Sequence, residues 1–214
     1  MSASSRNQSL LRLTLVRHGE TEGQSSLRYY GRTDVPLSIL GRRQMERVRQ
    51  TLAPHCFAAV YCSTLSRATE GARIISDGRV VLAGTPVTTQ IAGFDEIDFG
   101  EWEGRTADDI QMQHPRIYAE WQARGSDFAY PGGEWSREFR RRVVRTLHGV
   151  LAQAPQGELL FVLHKGVIRC IVAELLGNDE MARRSLTIGL GSIHIIAQHG
   201  AQWCAEELDQ TAHL

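Results

Sequence analysis

The sequence predicts an α/β protein: a three-layer α/β/α sandwich around a mostly parallel central sheet, with a small helical, aromatic-rich cap. Apolar runs of strand length alternate with helical segments along the chain, as in sheets joined by crossover helices. The 214 residues, 42% hydrophobic and 22% charged, have an ordinary globular composition. We expect a flexible N-terminal tail over residues 1–10 and a single domain over residues 11–214.

Charge and cysteine content argue against several classes of function. The 24 Lys and Arg residues balance 24 Asp and Glu residues, so no net field favours nucleic acid or an anionic membrane. No apolar run has the length of a membrane span, and the first ten residues do not resemble a signal peptide. The cysteines lack C-x-x-C spacing, so we expect reduced thiols in a cytoplasmic protein: Cys56, Cys62, Cys170 and Cys204.

The first half of the chain contains three predicted strands and two predicted helices. The strands are expected over residues 11–16, 57–62 and 80–83. A helix capped by Ser38 should run to about Ala53. Its inward face is predicted to contain Leu40, Met45, Val48 and Leu52. The next helix, 65–76, should bury Ala68, Ala72 and Ile75.

The second half begins with the predicted cap insertion, about residues 99–139. This segment holds eight of the fifteen aromatic residues, with short helices expected at 106–114 and 115–123 and a turn at Pro131. The cap's own small core is the simpler interpretation of these aromatics, and a stacking wall for a ring-bearing substrate is the alternative. Beyond the cap we expect a helix (136–153), a strand (158–163), a helix (to 176) and a hairpin around Gly200.

Two predicted strands each end at a histidine, His18 and His164. In open α/β sheets ligands bind beyond the carboxyl ends of strands, so one crevice can hold both imidazoles. Arg17 precedes His18, and Arg67 follows the second strand. Guanidinium groups repel cations, but their planar donors match phosphoryl oxygens, so the set favours a phosphate ester over a metal. We therefore expect no metal and no cofactor.

A proton donor for such chemistry is expected just after the third predicted strand. The stretch 94–101 contains several carboxylates, and Glu96 is one candidate among Asp95, Asp98 and Glu101. A solvated acidic loop is the alternative interpretation of the same residues. The basic run Arg140–Arg142 with Arg145 is interpreted as a solvated helix face. The other histidines are expected to be structural or exposed.

Several motifs in order along the chain resemble those of the histidine phosphatase superfamily, with its phosphoglycerate mutase-like fold. The first is Leu15-Val16-Arg17-His18-Gly19-Glu20-Thr21. The resemblance then includes the segments 31–41, 62–68, 96–104, 131–134 and 164–169, and the ending Thr211–Leu214 is similar to phosphatase-type members. Together these motifs cover about residues 12–214.

The resemblance implies a role for each matching residue. His18 would be the nucleophile that becomes transiently phosphorylated, and Glu96 would protonate the leaving alcohol. Arg17, Arg67 and His164 would surround the transferring oxygens. The implied substrate-binding set is Arg17, Gln24, Gly31, Arg67, His164 and Lys165.

Three positions depart from the family pattern. Gln24 stands where an asparagine that contacts phosphate is frequent, and it can donate the same type of hydrogen bond. Lys165, the only lysine among the 24 basic residues, replaces a common glycine. Three interpretations of Lys165 stay open. Its ammonium binds a second anionic group of the substrate, its backbone N–H faces the phosphate, or its side chain is solvated. Trp135 replaces a serine, which shifts the expected start of a helix by one residue.

The function expected from the resemblance is a metal-independent phosphomonoesterase acting on a small phosphorylated metabolite, with alpha-ribazole phosphate as one candidate. Phosphorylated sugars, phosphoglycerates and nucleoside monophosphates suit the same site. A phosphoglycerate mutase and a catalytically silent protein that binds phosphorylated ligands are the alternatives. Homodimers are common among similar proteins, so a homodimer stays open.

Overall fold

A computed structural model of the protein describes residues 11–77, 88–177 and 185–214. The strands are β1 (Arg12–Arg17), β2 (Phe57–Cys62), β3 (Thr88–Gln90), β4 (Glu158–Leu163), β5 (Ile193–His199) and β6 (Gln202–Gln210). The helices are α1 (Ile39–Thr51), α2 (Ser66–Ser76), α3 (Ala107–Gln113), α4 (Pro115–Arg124), α5 (Ser136–Leu151) and α6 (Lys165–Leu176). The predicted tail over 1–10 and the predicted strand over 80–83 lie outside the described residues.

The strands form one mixed sheet with the order β3-β2-β4-β1-β5-β6. The β3, β2, β4 and β1 strands are parallel to one another, whereas β5 is antiparallel to β1 and forms the predicted terminal hairpin with β6. Gly200 occupies the turn with a φ of 65°, a conformation that glycine adopts without steric cost. The α/β fold class is confirmed, and the parallel part of the sheet contains the two strands that end in histidine.

The central strands are buried on both faces, because helices cover both sides of the sheet. In β4, Leu159 and Phe161 join one hydrophobic cluster with α5 and α6, and Leu160 and Val162 join a second cluster with α1 and α2. Each fully buried side chain of this kind stabilises the fold by about 1.5–3 kcal/mol. This alternation of clusters is the basis of the three-layer arrangement.

Helix α1 begins at the predicted residue, and its predicted inward face is correct except at one position. The Ser38 hydroxyl accepts a hydrogen bond from the Gly41 N–H at 3.0 Å, which caps the helix as expected. Met45, Val48 and Leu52 are buried, but Leu40 is 56% exposed, so its predicted inward position is wrong. Leu40 precedes the buried Gly41 by one residue and therefore lies more than a quarter of a turn from the buried face.

The aromatic residues of the cap do not form a separate core. Trp102 and Phe128 are buried in the same hydrophobic cluster as Leu15 and Phe161 of the sheet. Helices α3 and α4 match the predicted positions, and Thr106 caps α3 through a reciprocal arrangement with Asp109. Within the described ranges, no helix is both long and apolar enough to cross a membrane.

Candidate active site

The two histidines lie side by side because of the pairing between β1 and β4. Arg17 is in register with Leu163, so the residues that follow, His18 and His164, leave the sheet at neighbouring points. Their ring centroids are 5.1 Å apart with an interplanar angle of 62°. Both side chains are buried. The structure therefore brings together the two imidazoles that are distant in sequence.

Hydrogen bonding determines which nitrogen of His18 carries its proton. Nδ1 lies 2.7 Å from the Gly19 carbonyl oxygen, which can only accept, so Nδ1 is the donor. Burial and the charges of Arg67 and Arg17 hold the pKa of His18 well below its ordinary value of 6.5. The ring is neutral at physiological pH, and Nε2 keeps a free lone pair. Such a nitrogen is suited to nucleophilic attack.

Ser63 orients His164 in the complementary way. The Ser63 hydroxyl accepts a hydrogen bond from the Leu65 N–H at 3.3 Å and lies 2.6 Å from Nε2 of His164. Burial and the charge of Arg67 lower the pKa of His164 well below 6.5, so its ring is also neutral. If Ser63 donates to Nε2, the proton of the ring resides on Nδ1. Among the described residues the buried Nδ1 has no hydrogen-bond partner, which leaves a donor for a ligand.

Arg67 is fully buried and is held by backbone carbonyls. Its guanidinium donates to the carbonyl oxygens of Gly31 at 2.7 Å, Thr33 at 3.0 Å and Tyr30 at 3.3 Å. The loop that supplies these carbonyls is itself organised by Glu103. One Glu103 carboxylate accepts hydrogen bonds from four backbone N–H groups, those of Gly31, Arg32, Thr33 and Phe99.

Each of the two site arginines keeps one donor without a partner in the described part of the chain. Arg17 donates from Nη1 to the Ile188 carbonyl at 2.9 Å, and burial lowers the pKa of Arg17 to about 10. The Nε atoms of Arg17 and Arg67 are buried and unpaired. A buried donor without an acceptor costs about 1–3 kcal/mol. The unpaired donors therefore indicate a site prepared for an anionic ligand.

Glu96 is buried near both arginines and lines the same cavity as His18. Its carboxylate accepts hydrogen bonds from the Gly166 N–H at 2.8 Å and the Ile97 N–H at 3.0 Å. A Cβ at position 166 would lie 2.4 Å from Oε1 of Glu96, so only glycine fits there. Burial raises the pKa of Glu96, against the opposing effect of these bonds and of the arginine charges. A carboxyl group with a raised pKa can donate a proton near neutral pH.

A cavity of about 510 Å³ extends from Arg17, His18 and Glu96 toward the cap. Arg67 and His164 lie beneath this surface and do not line it. One wall is aromatic, formed by Tyr29, Phe99, Trp121, Tyr130 and Phe139. The cap aromatics therefore divide between two places: some pack in the core shared with the sheet, and others line the cavity, as the alternative interpretation expected. A volume of this size accommodates a phosphate ester with a sizeable leaving group.

The remaining members of the predicted binding set lie in different surroundings. Lys165 lines the cavity. Gln24 is exposed, with a φ of 63°, and lies outside the cavity lining. Gly31 uses its N–H for Glu103 and its carbonyl for Arg67. A Cβ at Gly31 would meet the Ile97 carbonyl oxygen at 1.7 Å, so this glycine allows two loops to approach closely.

The prediction of a solvated helix face is wrong for Arg142, whereas Arg140, Arg141 and Arg145 are exposed as predicted. Its guanidinium pairs with the Glu134 carboxylate at 2.8 Å and donates to the carbonyl oxygens of Gly93 at 3.1 Å and Asp95 at 2.9 Å. Asp95 in turn accepts hydrogen bonds from the N–H and hydroxyl of Thr64. These contacts hold the backbone of residues 93–95, which directly precedes Glu96. The spacing of residues in a helix predicts which side of α5 faces the protein. It does not predict that loop carbonyls on that side will accept hydrogen bonds from Arg142.

The same family is found by comparison with known proteins. The model of the histidine phosphatase superfamily (branch 1) matches residues 13–211. The chain belongs to this superfamily. This histidine phosphatase is 34% identical over 166 residues to the adenosylcobalamin/alpha-ribazole phosphatase of Salmonella typhimurium, covering 78% of this chain and 80% of the relative.

Two further comparisons agree with this assignment. The probable phosphoglycerate mutase GpmB of Salmonella choleraesuis is 30% identical over 197 residues, covering 92% of this histidine phosphatase and 89% of the relative. The crystal structure of the alpha-ribazole phosphatase from Shigella flexneri superposes with a TM-score of 0.82 at 27% identity, covering 93% and 96% of the two chains. The protein is thus a phosphatase of the α/β type.

Removal of the Ser63 hydroxyl tests its control over His164. In this histidine phosphatase we expect Ser63→Ala to lower kcat/KM about fivefold, because the lost hydrogen bond contributes about 1 kcal/mol and the Nδ1–H tautomer loses its preference. The ¹⁵N chemical shifts of His164 should change from one defined tautomer to a mixture. Ser76→Ala removes a buried hydroxyl that has no partner in the described residues and is the matched control. An unchanged tautomer in Ser63→Ala would contradict the assignment.

Substitution of Arg142 tests whether it positions Glu96. Arg142→Lys keeps the charge but cannot bind the Glu134 carboxylate and two carbonyls together, so Glu96 should shift. We expect kcat/KM for an alkyl phosphate to fall about ten- to hundredfold, and that for 4-nitrophenyl phosphate to fall less, since nitrophenolate leaves without a proton. The control is Arg141→Lys, which alters an exposed pair with Glu138. Equal losses on both esters would argue against a role through Glu96.

Proposed function

We propose that this protein is a metal-independent phosphomonoesterase that hydrolyses a small phosphorylated metabolite through a phosphohistidine on His18. The observation that carries the proposal is the neutral His18 ring, with Nδ1 bonded to the Gly19 carbonyl and Nε2 unprotonated. The unpaired donors of Arg17 and Arg67 support it, because they suit the oxygens of a phosphoryl group. In this proposal guanidinium groups, and not a bound cation, neutralise the negative charge of the phosphoryl oxygens.

The proposed reaction has two displacements at phosphorus. In the first, Nε2 of His18 attacks, an N–P bond forms, and the P–O bond to the alcohol breaks while Glu96 gives its proton to the leaving oxygen. In the second, Glu96 takes a proton from water, the water oxygen attacks phosphorus, and the N–P bond breaks to release phosphate. Arg17, Arg67 and the Nδ1–H of His164 donate to the phosphoryl oxygens in both steps.

Two substrates follow from the names of the relatives. The Salmonella typhimurium and Shigella flexneri proteins are named alpha-ribazole phosphatases, and the aromatic wall of the cavity suits a leaving group that contains a ring. The relative named as a probable phosphoglycerate mutase suggests a phosphoglycerate. Measurement of phosphate release from both esters and a panel of sugar phosphates and nucleoside monophosphates would identify the preferred class.

The alternative function, a phosphoglycerate mutase, is favoured by the same relative. A mutase retains the phosphoryl group on its histidine until the intermediate rebinds, whereas a phosphatase passes it to water. Incubation with 3-phosphoglycerate distinguishes them, because a phosphatase yields free phosphate and glycerate, and a mutase yields the 2-phospho isomer.

We further propose a cytoplasmic location and keep a homodimer as the hypothesis on assembly. The location is supported by the four cysteines, none of which forms a disulfide. Light scattering during size-exclusion chromatography would give the molecular mass of the assembly.

Replacement of His18 tests the nucleophile directly. We expect His18→Ala to lower hydrolysis of 4-nitrophenyl phosphate to below about a thousandth of the wild-type rate, because no other group can form the covalent intermediate. Assays in EDTA should give the same wild-type rate. Circular dichroism should show that the variant is folded. Retention of a tenth of the rate, or a loss in EDTA that added metal reverses, would contradict the proposal.

The role of Glu96 is tested by the leaving group and by pH. Glu96→Gln cannot donate a proton, so we expect kcat/KM for an alkyl phosphate to fall about 10²- to 10⁴-fold, with a smaller loss for 4-nitrophenyl phosphate. The wild-type kcat/KM for alkyl esters should decline as pH rises through the raised pKa of Glu96, since the protonated form is required. Because the pKa of His18 is lowered, protonation of His18 should not limit the rate near pH 6.5. A Glu96→Gln variant that keeps the same alkaline decline would exclude Glu96 as its origin.

A further inference from the structure

The wall of the active-site cavity has an excess of positive charge that the whole chain does not share. Of the residues that the structure describes, Arg17, Arg28, Lys165 and Arg169 line the cavity, and Glu96 is the only carboxylate in this described part of the lining. Over the complete sequence, basic and acidic residues are equal at 24 each. The imbalance is therefore local to the cavity.

The phosphoryl site accounts for only part of this charge. Arg17 belongs to that site, and Arg28 lies on the exposed rim, where it donates to the Gly104 carbonyl at 2.7 Å and lies 3.9 Å from Asp109. Arg169 donates from Nε and Nη2 to the Leu186 carbonyl at 3.0 and 2.9 Å, which holds its guanidinium in place. Lys165 is exposed, and in the ranges that the structure describes its ammonium makes no hydrogen bond or ion pair.

The position of Lys165 is closely tied to the reacting groups. It is the first residue of α6, between His164 and the Gly166 N–H that binds Glu96. Its backbone position is therefore set by the contact between Gly166 and Glu96, and Lys165 itself lines the cavity. Partial desolvation and the charges of Arg169 and Arg17 lower the pKa of Lys165, and Glu96 opposes this shift. An anion bound at Lys165 would relieve the repulsion among these cations.

We propose that the leaving group of the substrate carries a second anionic group, and that Lys165 binds it with support from the charge of Arg169. The inference deepens the proposed phosphatase function and rests on it. A carboxylate or a further phosphate near the ester oxygen has the required chemistry. A neutral alcohol would leave the ammonium without a partner. Between the two substrates named above, the proposal favours a phosphoglycerate, whose leaving group contains a carboxylate.

Matched pairs of esters isolate this interaction. The probes are 3- and 4-carboxyphenyl phosphate, each compared with the carboxamide isostere, which has nearly the same shape but no charge. The wild-type enzyme should prefer at least one carboxylate over its carboxamide by about five- to tenfold in kcat/KM, mainly through KM, since a partly exposed ion pair contributes about 1 kcal/mol. Added KCl should reduce this preference because salt screens the pair.

The Lys165→Met variant should reduce the carboxylate-to-carboxamide ratio to about one, whereas Lys165→Arg should keep most of the preference because it keeps the charge. Arg145→Met is the matched control, since it removes one positive charge at an exposed position that does not line the cavity. Its ratio should equal that of the wild type.

Two results would overturn the inference. The first is a wild-type ratio near one for both pairs, and the second is a Lys165→Met variant that keeps the wild-type ratio. If that variant keeps the ratio while both rates fall equally, Lys165 is a general contributor to the phosphoryl site. In both results the esters are hydrolysed and the phosphatase proposal stands. A wild-type enzyme that releases phosphate from none of the four esters, nor from 4-nitrophenyl phosphate, would overturn both proposals.

Discussion

The burial of the Arg67 guanidinium is the constraint on which the active site depends. Its hydrogen-bond acceptors are three neutral carbonyl oxygens, and among the described residues no carboxylate bonds to it. A buried charge that makes no direct ion pair is costly, and nearby carboxylates, Glu96 first among them, offset part of that cost through space. The loop contributes as well: Glu103 accepts hydrogen bonds from four N–H groups and so directs the loop carbonyls toward Arg67. An anion bound at the unpaired Nε would add a direct counter-ion.

The same positive potential determines the state of the two histidines. Arg67 and Arg17 disfavour protonation of both rings, and burial acts in the same direction. The two neutral rings then differ only in their hydrogen-bond partners, a carbonyl for His18 and a hydroxyl for His164. One ring exposes a lone pair and the other can present a proton. A single electrostatic environment thus supports two different roles.

Much of the fold and the main site residues could be predicted from the sequence. The strands over 57–62 and 158–163 are contiguous apolar runs, and their boundaries are confirmed because burial on both faces leaves little room for polar residues. The strand ends at His18 and His164 follow from the same pattern. The contributions of Ser63, Glu103 and Arg142 were not predicted, because each acts through backbone groups of loops distant in sequence. The prediction for Leu40 was wrong because the buried face passes through Gly41, a residue without a side chain, and Leu40 lies more than a quarter of a turn from it.

The shared core of cap and sheet has a consequence for engineering. Trp102 and Phe128 fill space against the same aliphatic cluster that holds the histidine-bearing strands. A cap transplanted from another enzyme would remove these rings and leave a void, whose cost rises by about 24 cal/mol per Å³. Redesign of selectivity is therefore better attempted by point changes on the wall, at Tyr29 or Trp121, which remain partly accessible. A chimera in which residues 99–139 come from another enzyme would need compensating substitutions in the core that this segment shares with the sheet.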